Sequence, residues 1–76
     1  MSHFAQRCVE RLGLTAATAT RWEQRILRLP RGEYDAVVNG VRVSVRICQK
    51  PTVVVKDGDY TPSRDLPFCG KLDVLP

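Results

Sequence analysis

The chain has 76 residues, of which 43% are apolar and 26% are charged, so we expect one small globular domain rather than a disordered tail. No apolar run approaches the ~18 residues of a membrane span, and the N-terminus lacks the apolar core of a signal peptide. We therefore expect a cytoplasmic protein, of a cell or of its host, with no membrane contact. A domain this short buries only about 60% of its unfolded surface, so a homodimer or another partner would help to complete its core.

The net charge of +4 comes entirely from the first half of the chain. Residues 1–31 hold six arginines against two glutamates, whereas residues 32–76 hold six basic and six acidic residues. Arginine forms paired hydrogen bonds with phosphate and carboxylate, so we expect the partner to be nucleic acid or an acidic protein surface. A solvated helix face is the alternative. The predicted contact residues are Arg7, Arg11, Arg21, Arg25, Arg28, Arg31 and Arg42.

Residues 2–12 form the first predicted helix. Ser2 is a suitable N-cap because its hydroxyl can accept from a free backbone N–H, and Gly13 is a suitable stop. An apolar row recurs at four-residue steps and is expected to face the core. That row is Phe4, Cys8 and Leu12, and beside it runs a polar row of His3, Arg7 and Arg11.

Residues 16–29 form the second predicted helix. Pro30 ends it, because the residue before a proline resists the α conformation. Several threonines between 15 and 20 are candidate N-caps, and Thr20 is the best, since Thr20 and Glu23 have the spacing of a capping box. The apolar face is expected to hold Trp22, Ile26 and Leu29, and a row about 100° away holds Arg21, Arg25 and Arg28.

Asn39-Gly40 between apolar residues is the clearest local signal in the chain. It predicts a type I′ hairpin, whose two central residues need positive φ. The strands are expected at residues 33–38 and 41–48, and the two-residue turn pairs Val38 with Val41, Tyr34 with Val45, Val37 with Arg42 and Glu33 with Arg46. We expect Arg46 to be an exposed partner of Glu33 that adds little stability.

Two further strands are predicted at residues 52–56 and 71–75, separated by an irregular loop over 61–70. The run Val53–Val55 is apolar on both faces, so its strand is expected to be central or covered by helices. The order of elements predicts an α+β domain. Its two N-terminal helices would pack on one face of a three- to four-stranded antiparallel sheet.

The sequence offers little catalytic chemistry. The three cysteines are widely spaced, so we expect buried thiols rather than a zinc site, and neither a metal nor a cofactor is predicted. One constellation combines a general acid or base with groups that hold a phosphate: His3, Arg7 and Arg11, with Arg42 and Tyr60 near them. Outside this set no catalytic residue is expected, which favours a protein that is not an enzyme.

The segment from His3 to Leu14, with its pattern His-x3-Arg-x3-Arg-x-Gly, resembles the opening of small RelE-like domains of phages, plasmids and toxin loci. Leu75-Pro76 resembles the ending of those domains. Active members of that family are ribonucleases, often acting on ribosome-bound mRNA. The resemblance implies that His3, Arg7 and Arg11 face a phosphate, and that the chain belongs to a mobile element.

Two classes of function follow. In the first, the protein is a non-enzymatic binder that docks its arginine-rich face on a host protein or nucleoprotein and inhibits it, as anti-CRISPR and other anti-defence proteins do. In the second, it is a RelE-like ribonuclease toxin or an RNA-binding relative, whose arginines contact phosphates. A sequence-specific DNA reader is a third option, because the two helices resemble a helix-turn-helix.

Overall fold

A computed structural model describes residues 2–73 of the chain. Two helices cover one face of a four-stranded sheet. The elements in chain order are α1 (His3–Leu12), α2 (Ala16–Ile26), β1 (Gly32–Val38), β2 (Val41–Ile47), β3 (Pro51–Val55) and β4 (Phe68–Lys71). The strand order across the sheet is β3-β2-β1-β4. The predicted α+β class, with both helices preceding the strands, is confirmed.

The ends of α1 are where the sequence places them. The Ser2 hydroxyl accepts from the Ala5 N–H at 3.1 Å and so caps the first turn. At the other end Gly13 takes a left-handed conformation with φ 71°, and its N–H donates to the Cys8 carbonyl. A residue with a Cβ would be strained in this conformation, which explains why the helix ends at a glycine.

The second helix begins at the predicted residue 16, but its N-cap and its last residue differ from the prediction. Its N-cap is Thr15, whose hydroxyl accepts from the Thr18 N–H at 3.1 Å, and the predicted cap at Thr20 is wrong. With its cap at Thr15 the helix includes Ala19, which is fully buried against the core. The helix ends at Ile26 rather than at residue 29, and one further turn leads to Pro30.

The β1–β2 hairpin has the predicted register throughout, from Val38↔Val41 to Glu33↔Arg46. Asn39 has φ 51°, as its type I′ turn requires. One face of the hairpin therefore packs beneath the helices. The opposite face, which the helices do not cover, carries charged residues, and we call it the second face of the sheet.

The sheet is mixed, so the prediction of a purely antiparallel sheet is wrong. Strand β4 covers residues 68–71 and pairs in parallel with β1, whereas we predicted a strand over 71–75, of which 74 and 75 lie outside the described residues. The absent side chain of Gly32 makes this pairing possible. A Cβ there would collide with Cys69 Sγ and lie 2.9 Å from the Pro67 carbonyl oxygen.

Of the two positions predicted for β3, central or covered by a helix, the structure shows the second: β3 lies at one edge of the sheet, and α1 packs against it. Val53 is buried under the helices, and Val54 lies half-buried on the second face beside Ser44. Strands β3 and β4 run in the same direction at opposite edges. The connection over residues 56–67 therefore has to cross the sheet from one edge to the other. It does so over the second face, where Thr61 and Ser63 contact Arg46 and Glu33.

The core lies between the helices and the sheet. Trp22 is fully buried at its centre, with its ring 5.6 Å from that of Phe4. The buried residues include the predicted helix faces and the inner face of the hairpin: Phe4, Cys8, Leu12, Ile26, Tyr34, Ala36, Val38, Val43 and Val45. Within residues 2–73 no helix is both long and apolar enough to span a membrane.

Candidate functional site

The arginine rows of the two helices lie along opposite flanks of the helical layer. Arg25 borders a small cleft with Leu72, just after β4 at one edge of the sheet. His3 borders a different cleft with Pro51 and Thr52 of β3, at the other edge. Because Arg7 and Arg11 follow His3 at four-residue steps, they share its flank. The helix arginines therefore form two separate surfaces.

The two remaining predicted contact residues lie apart from both rows. Arg31 borders a cleft at one end of the sheet together with Arg46 and Asp65. Arg42 is exposed on the second face, which the helices do not cover. The seven arginines thus occupy four places on the surface.

His3 and Arg7 form a compact polar pair at the start of α1. Arg7 Nε donates a 2.7 Å hydrogen bond to His3 Nε2, which leaves Nδ1 as the donor of the imidazole. The adjacent cleft measures about 360 Å³ and is also lined by Glu23 and Lys50. Glu23 accepts a 2.6 Å hydrogen bond from the Ser2 hydroxyl. An imidazole, a carboxylate and the Lys50 ammonium therefore line one cleft, and Arg7 lies beside it through its bond to His3.

The predicted proximity of Arg42 and Tyr60 to this histidine is wrong. Tyr60 lies on the second face, where its ring centroid is 5.8 Å from the Arg46 guanidinium carbon and 5.0 Å from Lys56 Nζ. The sheet separates these residues from the helical layer. A catalytic group built on His3 therefore includes neither of them.

Glu33 and Arg46 form the predicted cross-strand pair, but the expectation that the pair is exposed is wrong. Glu33 is only 5% exposed, and Arg46 Nε donates to its carboxylate at 3.0 Å. The 56–67 connection covers the pair, since Arg46 also donates to the Thr61 carbonyl at 2.6 Å and the Ser63 N–H donates to Glu33 at 3.3 Å. Burial raises the pKa of Glu33, but the hydrogen bonds from Arg46 and Ser63 outweigh it and hold the pKa below its ordinary value.

A second ion pair joins Asp35 of β1 to Lys56 at the end of β3. Both side chains are partly exposed and lie on the second face, next to a cleft of about 370 Å³ that Arg42 and Lys71 also line. This cluster was not predicted from the sequence. The hairpin register places Asp35 and Arg42 on one face, but the parallel pairing that brings Lys71 beside Asp35 leaves no local signal.

The cysteines divide into one buried and two exposed thiols. Cys8 is buried in the core as predicted, whereas Cys48 and Cys69 are exposed and contradict the expectation of burial. Burial raises the pKa of Cys8 to about 12. Among residues 2–73 no three His, Cys, Asp or Glu side chains are grouped to hold a metal ion.

Three surfaces thus carry chemistry: the flank of α2 with its arginines, the His3 cleft and the cleft of the second face. In comparisons with known proteins, no family model, no curated protein and no solved structure matches this chain. The geometry of these surfaces is therefore the basis on which a function can be proposed.

Proposed function

We propose that the protein is a non-enzymatic binding protein that docks the arginines of its helical layer on an acidic surface of a host protein or nucleoprotein, and inhibits it. It would act in the cytoplasm, as anti-CRISPR and other anti-defence proteins do. The proposal rests on the exposure of Arg11, Arg25 and Arg28 and on their lack of an ion-pair partner in the described part of the chain. All three are exposed and form no ion pair with any residue of the described range 2–73.

The flank of α2 is the stronger docking surface of the two. Arg25 in the last turn of α2 and Arg28 in the turn that follows are both exposed. Arginine is enriched among the residues that contribute most of the binding energy at protein interfaces. The two acidic residues of the helical layer, Glu10 and Glu23, form no ion pair with Arg25 or Arg28.

The test is a charge reversal on this flank. Arg25→Glu with Arg28→Glu should abolish capture of the partner and its inhibition, while the far-UV circular dichroism spectrum and the thermal midpoint stay unchanged. Lys50→Glu with Arg64→Glu makes the same change in net charge at other exposed positions and is the matched control. Capture would be read by mass spectrometry from bacterial lysate, with and without nuclease. Equal loss in both double variants would contradict a specific docking flank.

The RelE-like ribonuclease is the second candidate, and the His3–Arg7 hydrogen bond favours it. In this alternative His3 acts as general acid or base, and Arg7 and Arg11 hold the scissile phosphate. Cleavage of a ribosome-bound or free RNA should then be lost in His3→Ala and retained in Gln6→Ala, an exposed neighbour on the same helix. Full ribonuclease activity in His3→Ala would remove this assignment.

A further inference from the structure

The cleft of the second face has the features of a ligand site separate from the helical layer. Its charged lining comes from all four strand regions: Asp35 in β1, Arg42 in β2, Lys56 after β3 and Lys71 in β4. Its volume of about 370 Å³ lies within the range of about 300–1,000 Å³ that small-molecule sites occupy. We propose that this cleft binds a small phosphorylated ligand of nucleotide size, with its phosphate on Arg42 and Lys71.

The net charge of the cleft lining complements that of a phosphate group. The lining holds three cations against the single carboxylate of Asp35, which leaves a net charge of +2 (three minus one). Lys56 is already paired with that carboxylate, while Arg42 and Lys71 are exposed and form no ion pair with any residue from 2 to 73. A phosphate monoester carries close to two negative charges at neutral pH and matches the uncompensated pair. Arg42 can in addition form the paired hydrogen bonds that phosphate oxygens accept.

Part of the cleft lining is held in place by contacts within the protein. Lys56 is held on two sides, by Asp35 and by the Tyr60 ring at 5.0 Å, and only 17% of its side chain is exposed. The carboxylate of Asp35 is itself 29% exposed, so it can accept from a ligand hydroxyl or amine as well. Val37, 53% exposed, adds an apolar part to the lining. Such a mixture suits a nucleoside or sugar attached to a phosphate better than a free phosphate ion.

A small ligand fits this place better than a nucleic-acid strand. The 56–67 connection crosses the second face over Arg46, where Thr61 accepts its hydrogen bond, so the groove does not continue in that direction. Asp35 would also repel the backbone of a polyanion that ran through the cleft. Both features favour one phosphate at the open end of the cleft.

The experiment is a titration of the full chain, labelled with nitrogen-15, with adenosine monophosphate, followed by amide chemical shifts. We expect saturable shifts confined to the amides around Asp35, Val37, Arg42 and Lys71. Arg42→Gln with Lys71→Gln should weaken binding about a hundredfold, roughly tenfold for each charged hydrogen bond that is lost. Lys50→Gln with Arg64→Gln removes the same charge elsewhere and should leave the affinity unchanged.

Several results would overturn the proposal. These are an absence of saturable shifts, an equal loss in the two double variants, equal binding of adenosine, and binding of a uridine oligonucleotide in place of adenosine monophosphate. The last result would make the second face a polyanion surface. The site is independent of the proposed docking flank, so Arg25→Glu with Arg28→Glu should bind adenosine monophosphate normally. Failure of one proposal is therefore distinguishable from failure of the other.

Discussion

The side-chain amide of Asn39 donates a 2.6 Å hydrogen bond to the backbone oxygen of Leu12. The residue that forms the hairpin turn thereby also satisfies a carbonyl at the end of α1, 27 residues away. One side chain joins the helical layer to the tip of the hairpin. The two functions can be separated by substitution.

Asn39→Gly keeps the positive φ that the turn requires and removes only the contact with Leu12. We expect the free energy of unfolding in urea to fall by about 1 kcal/mol, the usual value of one hydrogen bond. Asn39→Asp should cost more, since its carboxylate would face a carbonyl at the negative end of the helix. A stability of Asn39→Asp equal to that of the wild type would contradict this role.

Arg46 stabilises both the buried Glu33 and the connection that crosses the second face. Arg46→Met should lower the free energy of unfolding by about 1.5–3 kcal/mol, because it leaves a buried carboxylate without its charged donor. The Ser63 amide should lose protection from hydrogen exchange at the same time. Arg42→Met, on the same strand and the same face, is the control and should change stability by no more than about 0.5 kcal/mol.

Glu33 also predicts how stability depends on pH. Its pKa in the folded protein lies below the ordinary value of 4.5, so the folded state favours the ionised carboxylate. This contribution is complete above the pKa of the unfolded chain and is lost as pH falls through the folded pKa. The stability difference between the wild type and Glu33→Gln should therefore shrink as the pH is lowered below about 4.5. A stability difference that stays constant down to about pH 3 would show that ionisation of Glu33 does not contribute to the pH dependence of stability.

The three thiols should react in two classes. Cys48 and Cys69 are exposed and should be alkylated rapidly in the native protein. Cys8 is buried and has its pKa raised to about 12, so it should react only after unfolding. Mass spectrometry of iodoacetamide-treated protein, native and in guanidinium, counts the modified sites. Modification of Cys8 at the rate of Cys48 would mean that α1 opens readily from the core.

Local sequence determined the faces of the helices and the register of the hairpin. Phe4, Cys8 and Leu12 repeat at the helical period, and all three are buried. Asn39-Gly40 permits essentially one turn geometry, and that geometry sets every pair down to Glu33 and Arg46. These signals act over a few residues, so they can be recognised before the fold is known.

Tertiary structure decided where those faces lie relative to one another. The parallel position of β4 depends on the space at Gly32, which no local pattern announces. The return of residues 56–67 across the second face buries Glu33 and leaves Arg46, predicted to be exposed, half-buried. The separation of the two arginine rows follows from how the helices pack on the sheet. The pairing of Asp35 with Lys71 follows from the strand order. Both are contacts between distant segments, and such contacts depend on how the whole chain buries its apolar surface.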